Sequence, residues 1–327
     1  MLQDNFGRSI DYLRLSITDR CNLRCRYCMP EKGVESLSHH AVLSYEELLR
    51  IAGIAVSLGV RKVRITGGEP LVRRGVIGFI QQLRALDPDL ELTLTTNGIL
   101  LAGMVEALKS AGLNRINVSL DSLNPERFRE ITRRDGLDAV LAGLHRAAAL
   151  GFTPIKINMV PIRGVNDDEI EAFAALSRDN PWEIRFIEFM PVSTGLEYDS
   201  RQRVSAAEII PRLERLGDLE AVPASDTAGP ANCYRIRDYL GLVGIIPAVS
   251  QHFCGACNRL RLTADGRLRP CLFSTEEIDL RSPLRAGASD AELRDLILQA
   301  TGKKPRGHRI DSDDFAPASR RMHGIGG

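Results

Sequence analysis

Six short apolar runs, separated by helical patterns, constrain this chain more than any other feature. They are Leu13–Ile17, Val63–Thr66, Glu91–Thr95, Arg115–Ser119, Pro154–Val160 and Glu183–Phe189. Ser44-Tyr45-Glu46-Glu47 is a capping box that opens a helix running to about Leu58. Further helical patterns fall near Val76–Leu86, Met104–Ser110, Leu137–Leu150 and Asp167–Ser177. Strands alternating with helices make βαβ units and a parallel sheet. Such repeats permit an open doubly wound sheet or a partial barrel. The chemistry-bearing residues stand just after strands: Cys21–Cys28, Gly67–Pro70, Thr95–Gly98, Ser119–Asp121 and Met190-Pro191. Sites of both architectures form at the C-terminal ends of strands. Several strand ends converging on one place suit a curled, barrel-like sheet.

The alternation fades after about Leu219. Ala221–Ala231 is small, polar and Pro/Gly-containing, and has the character of a linker. Asp265-Gly266 marks a hairpin turn between Asn258–Thr263 and Arg267–Pro270, Ala291–Gln299 is helical, and the tail from Thr301 is polar and basic. A boundary near residue 220 therefore divides a larger first part, 1–220, from a smaller second part, 221–327. The net charge of +1 gives no bulk electrostatic reason to expect nucleic acid or membrane partners. The N-terminus lacks an apolar signal region, and Leu240–Val249 is too short to span a bilayer. Seven cysteines without a secretory signal point to reduced thiols or metal ligands, and so to the cytoplasm.

Six of the seven cysteines fall into two triplets. The first is Cys21, Cys25 and Cys28, a C-x3-C-x2-C run with Tyr27 before its last cysteine. Three thiolates hold three corners of a 4Fe–4S cube and leave the fourth iron open. Zinc is the competing occupant, but structural zinc takes four ligands and favours paired C-x2-C spacings. The run resembles the cluster loop of the radical S-adenosylmethionine (SAM) superfamily. That resemblance implies SAM bound at the open iron and cleaved reductively to 5′-deoxyadenosine and methionine. It implies that Gly67-Gly68-Glu69-Pro70 meets the amino-acid end of SAM, glycine allowing close backbone approach. Tyr27, Gly68, Thr96, Asn97, Ser119 and Met190 are the implied SAM contacts. Polar residues at strand ends also cap helices and turns.

The second triplet is Cys254, Cys257 and Cys271, a C-x2-C-x13-C set. On these residues alone zinc and iron–sulfur are equal readings, because His252 lies just upstream and Cys3His is a structural zinc set. The next segment changes the balance. On a strand, Arg259 and Arg261 share one face, with Leu260 and Leu262 on the other. Paired guanidiniums match phosphate geometry, although a solvated strand edge has the same pattern. Arg14, Arg64, Lys156 and Arg185 also interrupt apolar strand runs, whereas barrel interiors are ordinarily apolar. Several cations facing one cavity repel unless an anion joins them, and a triphosphate fits. Cys233, the remaining cysteine, has the character of a small packed hydrophobe.

Both triplets, taken with Leu13-Arg14-Leu15-Ser16, Arg64–Leu71, Arg185–Pro191 and Cys257–Leu262, resemble the GTP 3′,8-cyclase family of molybdenum cofactor biosynthesis. The resemblance runs from about Asp11 to Gly327. It implies an α/β fold: a partial (β/α)6 TIM-like barrel in 1–220 with a 4Fe–4S cluster and SAM. A C-terminal α+β extension, 221–327, would carry a second 4Fe–4S cluster and close the barrel. The implied enzyme is a lyase converting GTP to 3′,8-cyclo-7,8-dihydro-GTP. By position, Arg14, Arg64, Thr95, Lys156, Arg259, Leu260 and Arg261 correspond to GTP contacts, with Arg185 a further candidate. Arg14, Arg259 and Arg261 are the implied catalytic residues, and the guanine base is expected at the open iron of the second cluster. The terminal Gly326-Gly327 is implied to reach the active site, where chain physics alone would predict a frayed end. The implied partners are GTP, a flavodoxin-like reductant, a downstream cyclic pyranopterin monophosphate synthase and a second copy of the chain. Two rival readings stay open: a peptide-modifying radical SAM enzyme with an auxiliary cluster, and a non-catalytic zinc-binding scaffold.

Overall fold

A period of two decides which face of each strand meets the core. In the computed structural model, which describes residues 2–192, 199–223, 229–310, 315 and 320–326, the strands are β1 (Tyr12–Ser16), β2 (Lys62–Thr66), β3 (Glu91–Thr96), β4 (Arg115–Ser119), β5 (Lys156–Met159), β6 (Glu183–Ile187), β7 (Leu219–Val222), β8 (Asn232–Ile236), β9 (Leu242–Ile246), β10 (Arg259–Leu262), β11 (Arg267–Arg269) and β12 (Ile278–Asp279). They form one sheet in the order β12-β11-β10-β1-β2-β3-β4-β5-β6-β9-β8-β7. The run from β10 through β1–β6 to β9 is parallel, and the pairings outside it are antiparallel. The ends are unpaired with each other, so this is a partial barrel. The central six strands are those read from sequence. The C-terminal part adds a parallel strand at each flank, β9 beside β6 and β10 beside β1, rather than standing apart behind a linker.

One face of every central strand is apolar. Leu13, Leu15, Val63, Ile65, Leu92, Leu94, Ile116, Val118, Ile157, Ile184, Phe186, Leu260 and Leu262 all belong to one buried core. Helices α1 (Tyr45–Ser57), α2 (Val76–Leu86), α3 (Leu101–Ser110), α4 (Pro125–Thr132), α5 (Leu137–Ala149), α6 (Ile170–Ala175) and α7 (Ala206–Glu214) follow in chain order. The α1 capping box is formed: Glu47 N–H donates to Ser44 Oγ at 3.2 Å, and Ser44 N–H to Glu47 Oε2 at 2.7 Å. After them come α8 (Arg281–Arg285), α9 (Asp290–Gly302) and α10 (Met322–Ile325). Asn124 caps α4 ahead of a first-turn proline, and a Ser205–Glu208 capping box opens α7. Both signals are readable, although neither helix is expected from the apolar pattern. The linker reading of 221–231 is corrected in part. Ala221 and Val222 lie in β7 and pair with Tyr234 and Cys233 of β8.

One buried carboxylate joins the barrel to its C-terminal flank. Glu188, at the end of β6, accepts from Val249 N–H and Ser250 N–H, both at 2.8 Å, and from Ala206 N–H at 3.1 Å. Ser250 Oγ donates a fourth bond at 2.5 Å. Replacing Glu188 by Ala strands buried donors, each costing about 1–3 kcal/mol. Glu188→Ala is expected to lower unfolding free energy by about 3 kcal/mol or more in denaturant titration. A change below about 0.5 kcal/mol would show that the junction is carried elsewhere.

Candidate active site

The inner faces of the strands are polar, and they surround a cavity of about 870 Å³ lined by all six clustered cysteines. Interstrand register places three arginines side by side. Arg261 of β10 is opposite Arg14 of β1, and Arg14 is opposite Arg64 of β2. Like charges directly opposed on a sheet destabilise it. Arg14 is 8%, Arg64 8% and Arg261 7% exposed. Burial, with neighbouring guanidiniums, brings Arg14 down to about 10 and pushes Arg261 well below the ordinary arginine range. Arginine keeps its proton in such places, so the buried guanidiniums repel one another. Among the described residues none of the three has a carboxylate in ion-pair contact. Arg64 Nη1 approaches Thr95 Oγ1 at 3.5 Å, and Arg259 lies over the Phe253 ring at 4.7 Å.

The other cations are different. Glu183 Oε2 pairs with Lys156 Nζ at 2.7 Å, and its Oε1 pairs with Arg185 Nη2 at 2.5 Å. Glu91 Oε1 holds both Lys62 Nζ and Arg115 Nε at 3.1 Å. The cavity therefore has a floor in which two carboxylates pair with four cations, beside an arginine rung with no carboxylate partner among the described residues. Several of its buried polar atoms have no hydrogen-bond partner among the described residues: Arg64 Nε, Thr66 Oγ1, Asn158 Oδ1 and both amide atoms of Asn117. A buried polar atom without a partner costs about 1–3 kcal/mol, and a polar ligand removes that cost.

At the first triplet the glycines serve the cysteine loop itself. A Cβ on Gly68 would lie 2.4 Å from the Arg20 carbonyl oxygen, and one on Gly67 2.5 Å from that of Thr18. Gly68 N–H donates to Thr18 O and Glu69 N–H to Arg20 O, both at 2.8 Å. The buried Glu69 carboxylate then pins this turn to the end of β3. It accepts from Leu71 N–H at 3.0 Å, Thr96 Oγ1 at 2.8 Å and Asn97 N–H at 2.7 Å. Burial raises Glu69 to about 7. Asn97 Nδ2 reaches Asn22 Oδ1 at 2.7 Å and Cys21 Sγ at 3.8 Å. Tyr27 donates its hydroxyl to Asp121 Oδ2 at 2.5 Å. Tyr27, Gly68, Ser119 and Met190 line the same cavity. Glu69 and Asp121 fall in strand-end segments named from sequence, but their role as pins was not read there, because it depends on donors from other strands.

The second triplet sits on a frame of main-chain carbonyls held by two buried cations. Arg8 donates to Cys254 O at 2.6 Å, Pro305 O at 2.7 Å and Arg306 O at 3.2 Å, while Asp4 Oδ2 accepts from its Nε at 2.5 Å. Lys304 Nζ donates to Arg259 O and Pro270 O, both at 2.8 Å. Burial alone would raise the Cys257 thiol; Arg259 and Lys304 outweigh it and bring it down to about 6. Burial raises Cys25 well above the ordinary thiol range and Cys28 to about 12. Buried thiols that senses of charge push apart in this way become thiolates when metal binds. Each triplet brings three thiols and no fourth cysteine to the wall of one cavity, the donor set of three corners of a cube. Residues and cluster therefore fit at both triplets.

Leu260, expected among the nucleotide contacts, turns its side chain into the hydrophobic core, 2% exposed, on the face opposite Arg259 and Arg261. Its neighbours carry the polar contacts. The tail does enter the barrel: Gly326 O accepts from Arg14 Nη2 at 3.2 Å and Arg261 Nη1 at 3.3 Å. Arg320 anchors it, with Nη1 3.1 Å from Asp265 Oδ1 and Nε 2.9 Å from Glu277 Oε1. Gly327 lies outside the described residues. Cys233 is on β8, 3.6 Å from Glu183 Oε1 and away from both triplets.

A curled parallel sheet with a three-cysteine loop after its first strand defines a radical SAM protein. The sequence pattern of the radical SAM superfamily matches residues 15–176, and that of the molybdenum cofactor synthesis C family matches 182–310. The GTP 3′,8-cyclase of Peptoclostridium acidaminophilum is 47% identical over 327 residues, covering 100% of this chain and 98% of that protein. The GTP 3′,8-cyclase of Moorella thermoacetica is 48% identical over 326 residues, covering 100% of each. Among solved structures, Streptococcus suis SuiB bound to S-adenosylmethionine superposes with a TM-score of 0.58 at 17% identity, covering 82% of this chain and 61% of that one. The chain belongs to the GTP 3′,8-cyclase family.

The carbonyl frame makes a separable prediction. Lys304→Met removes a cation that spans Cys257 and Cys271 while keeping the stem. Iron content of the reconstituted variant is expected to fall from about eight toward about four per chain, with the signal of the first cluster retained. Undiminished iron would show that the frame is dispensable.

Proposed function

We infer that this protein cleaves SAM reductively and converts GTP to 3′,8-cyclo-7,8-dihydro-GTP, the first step of molybdenum cofactor biosynthesis. The carrying observation is the Arg261–Arg14–Arg64 rung, in register and without a carboxylate among the described residues, between two cysteine triplets in one cavity. Bound at Cys21, Cys25 and Cys28, a 4Fe–4S cluster and SAM supply a hydrogen-abstracting radical, while a second cluster at Cys254, Cys257 and Cys271 supplies an iron for the guanine base.

The chain's own residues do the rest. We assign Arg14, Arg64, Arg259 and Arg261 to the triphosphate, with Thr95, Lys156 and Arg185 completing its surroundings. The rung fixes one end of the nucleotide by charge-assisted hydrogen bonds. With the base held at the second triplet and the triphosphate on the neighbouring arginines, the ribose is fixed in the cavity, which makes position rather than proton transfer the protein's main contribution. Tyr27, Gly68, Ser119 and Met190 are assigned to SAM. The polar walls and the tail exclude bulk water from the reacting centre. Residues 1–220 act as the SAM-cleaving part and 221–327 as the nucleotide-holding part. We also propose a flavodoxin-like electron donor, a following cyclic pyranopterin monophosphate synthase, a homodimer and a cytoplasmic location. No helix among the described residues is long and apolar enough to cross a membrane.

The reduced, cluster-loaded protein incubated with SAM is expected to release more 5′-deoxyadenosine with GTP than with ATP or buffer. Equal release would remove the GTP reading. Arg261→Ala should weaken GTP binding about tenfold to a hundredfold, from the ~1.5–3 kcal/mol of a charged hydrogen bond, with the first cluster intact. Burial brings Lys156 down to about 8. Lys156 therefore loses its proton as pH rises through about 8, and GTP binding followed by calorimetry should weaken above that pH. The limiting slope approaches about tenfold per pH unit. Lys156→Arg stays charged and should flatten that limb; an unchanged limb would exclude Lys156.

A further inference from the structure

The wall that faces the arginine rung carries a buried amide without a protein partner. Asn117, the middle residue of β4, is 1% exposed and lines the central cavity. Its neighbours Ile116 and Val118 enter the hydrophobic core, so the period of two turns Asn117 inward. Neither its Oδ1 nor its Nδ2 has a hydrogen-bond partner among the described residues. Flipping the amide changes nothing, since both atoms are unpaired. Register sets Asn117 between Thr95 of β3 and Lys156 of β5. Both neighbours are turned to other groups. Lys156 Nζ pairs with Glu183 Oε2 at 2.7 Å, and Thr95 Oγ1 faces Arg64 Nη1 at 3.5 Å.

A leucine or valine is the ordinary occupant of an inward barrel position. A buried amide with neither of its groups satisfied destabilises the fold, so its use is to meet a ligand. An amide is satisfied only by a ligand that both donates and accepts. Ionised phosphate oxygens accept only, and would leave Oδ1 unpaired. The guanine base is assigned to the second triplet, whose cysteines flank β10 and β11. Ribose hydroxyls donate as well as accept. Placement agrees with this choice. The arginine rung and the second triplet belong to the β10–β1–β2 side of the sheet, and β4 lies two strands beyond β2. A nucleotide held at both ends on one side of a curled sheet turns its middle, the ribose, toward the other side.

We propose that Asn117 reads the ribose of the nucleotide, accepting from one hydroxyl through Oδ1 and donating to a ribose oxygen through Nδ2, and so selects a ribonucleotide over its deoxy counterparts. This rests on the GTP reading above and names the part of the substrate that β4 recognises. The contact makes and breaks no covalent bond. It fixes the rotation of the sugar between base and phosphate, on which the presentation of one ribose C–H depends.

The test is calorimetric titration of the cluster-loaded, full-length chain with GTP, 2′-deoxy-GTP and 3′-deoxy-GTP. The unsubstituted protein is expected to bind at least one deoxy analogue about tenfold more weakly than GTP, because a buried acceptor is then left unpaired. Asn117→Leu, close in volume, should weaken GTP about threefold to tenfold. It should also bring the discriminated analogue to within about twofold of GTP, the signature of a shared contact. SAM affinity should stay within about twofold. The same substitution should keep or raise the unfolding temperature, since it removes an unsatisfied buried amide; a merely structural amide would lower that temperature and leave the discrimination unchanged. Equal affinity of the unsubstituted protein for all three nucleotides would overturn the proposal. So would undiminished discrimination in the variant, the result expected if Asn117 meets only phosphate, or a loss of SAM rather than GTP affinity, which would assign the amide to the cofactor. No binding of GTP by the unsubstituted chain would instead remove the GTP reading itself. Asn117→Ala, titrated in the same way, decides the matter if the leucine variant fails to fold.

Discussion

The register that sets Arg261, Arg14 and Arg64 shoulder to shoulder is the constraint on which the rest of this structure depends. A parallel barrel ordinarily fills its interior with branched apolar side chains. Here the period-two alternation sends the apolar residues outward to the helices and the polar ones inward. An inward rung of guanidiniums cannot pack, and it cannot be left to face itself. The molecule answers in two ways. Toward β3–β6 it supplies Glu91 and Glu183 as internal partners. Across β10, β1 and β2 the described residues offer neutral partners, the Gly326 carbonyl to Arg14 and Arg261 and the Thr95 hydroxyl to Arg64. A neutral dipole moderates the repulsion without cancelling it, so the rung remains a place for a polyanion.

Both cysteine lobes are framed by cations that donate to main-chain carbonyls, and the first adds buried carboxylates. Around the first, the buried carboxylates Glu69 and Asp121 organise the loop through donors from β3 and from Tyr27 and Val160. Around the second, Arg8 and Lys304 organise the loop by donating to carbonyls. At the first lobe Arg24 also donates to Cys21 O at 2.6 Å and Leu23 O at 2.8 Å, and Arg133 to Met29 O at 3.0 Å. Cations therefore frame both loops, in keeping with the negative charge of a cube held by three thiolates.

Much of this was legible in the sequence because it is local. The six central strands show as apolar runs, and the hairpin at Asp265-Gly266 shows in its turn residues, with Gly266 at φ +80°. The cysteines, the strand-end loops and the paired arginines of β10 could be named because spacing alone assigns them to a loop or a face. What was not legible depends on contacts between distant segments. Nothing near Leu242–Ile246 says that it pairs with β6, and nothing near Arg8 says that it will reach Cys254. Glu183 lay within an expected strand, but its partnership with Lys156 required the β5–β6 register. The side chain of Leu260 was not placed from sequence for the converse reason. Its neighbours point at the cavity, and a period of two turns it away.

That dependence on distant pairing has a consequence for how the site comes into being. The nucleotide end requires β10 to lie against β1, which joins residue 261 to residue 14. Closing a long loop carries an entropic cost that grows slowly with length, but such contacts form late when local ones are available. The βα units between β1 and β6 assemble from near neighbours and can bury their apolar faces first. Only the last segments of the chain, β9, β10 and the anchored tail, then bring the third arginine and the second triplet to the cavity. The repulsion between Arg14 and Arg261 opposes that final step, whereas the outward-facing Leu260 and Leu262 favour it by entering the common core. The core contacts prevail, and the repulsion they override is retained in the folded protein as the driving force for binding an anion.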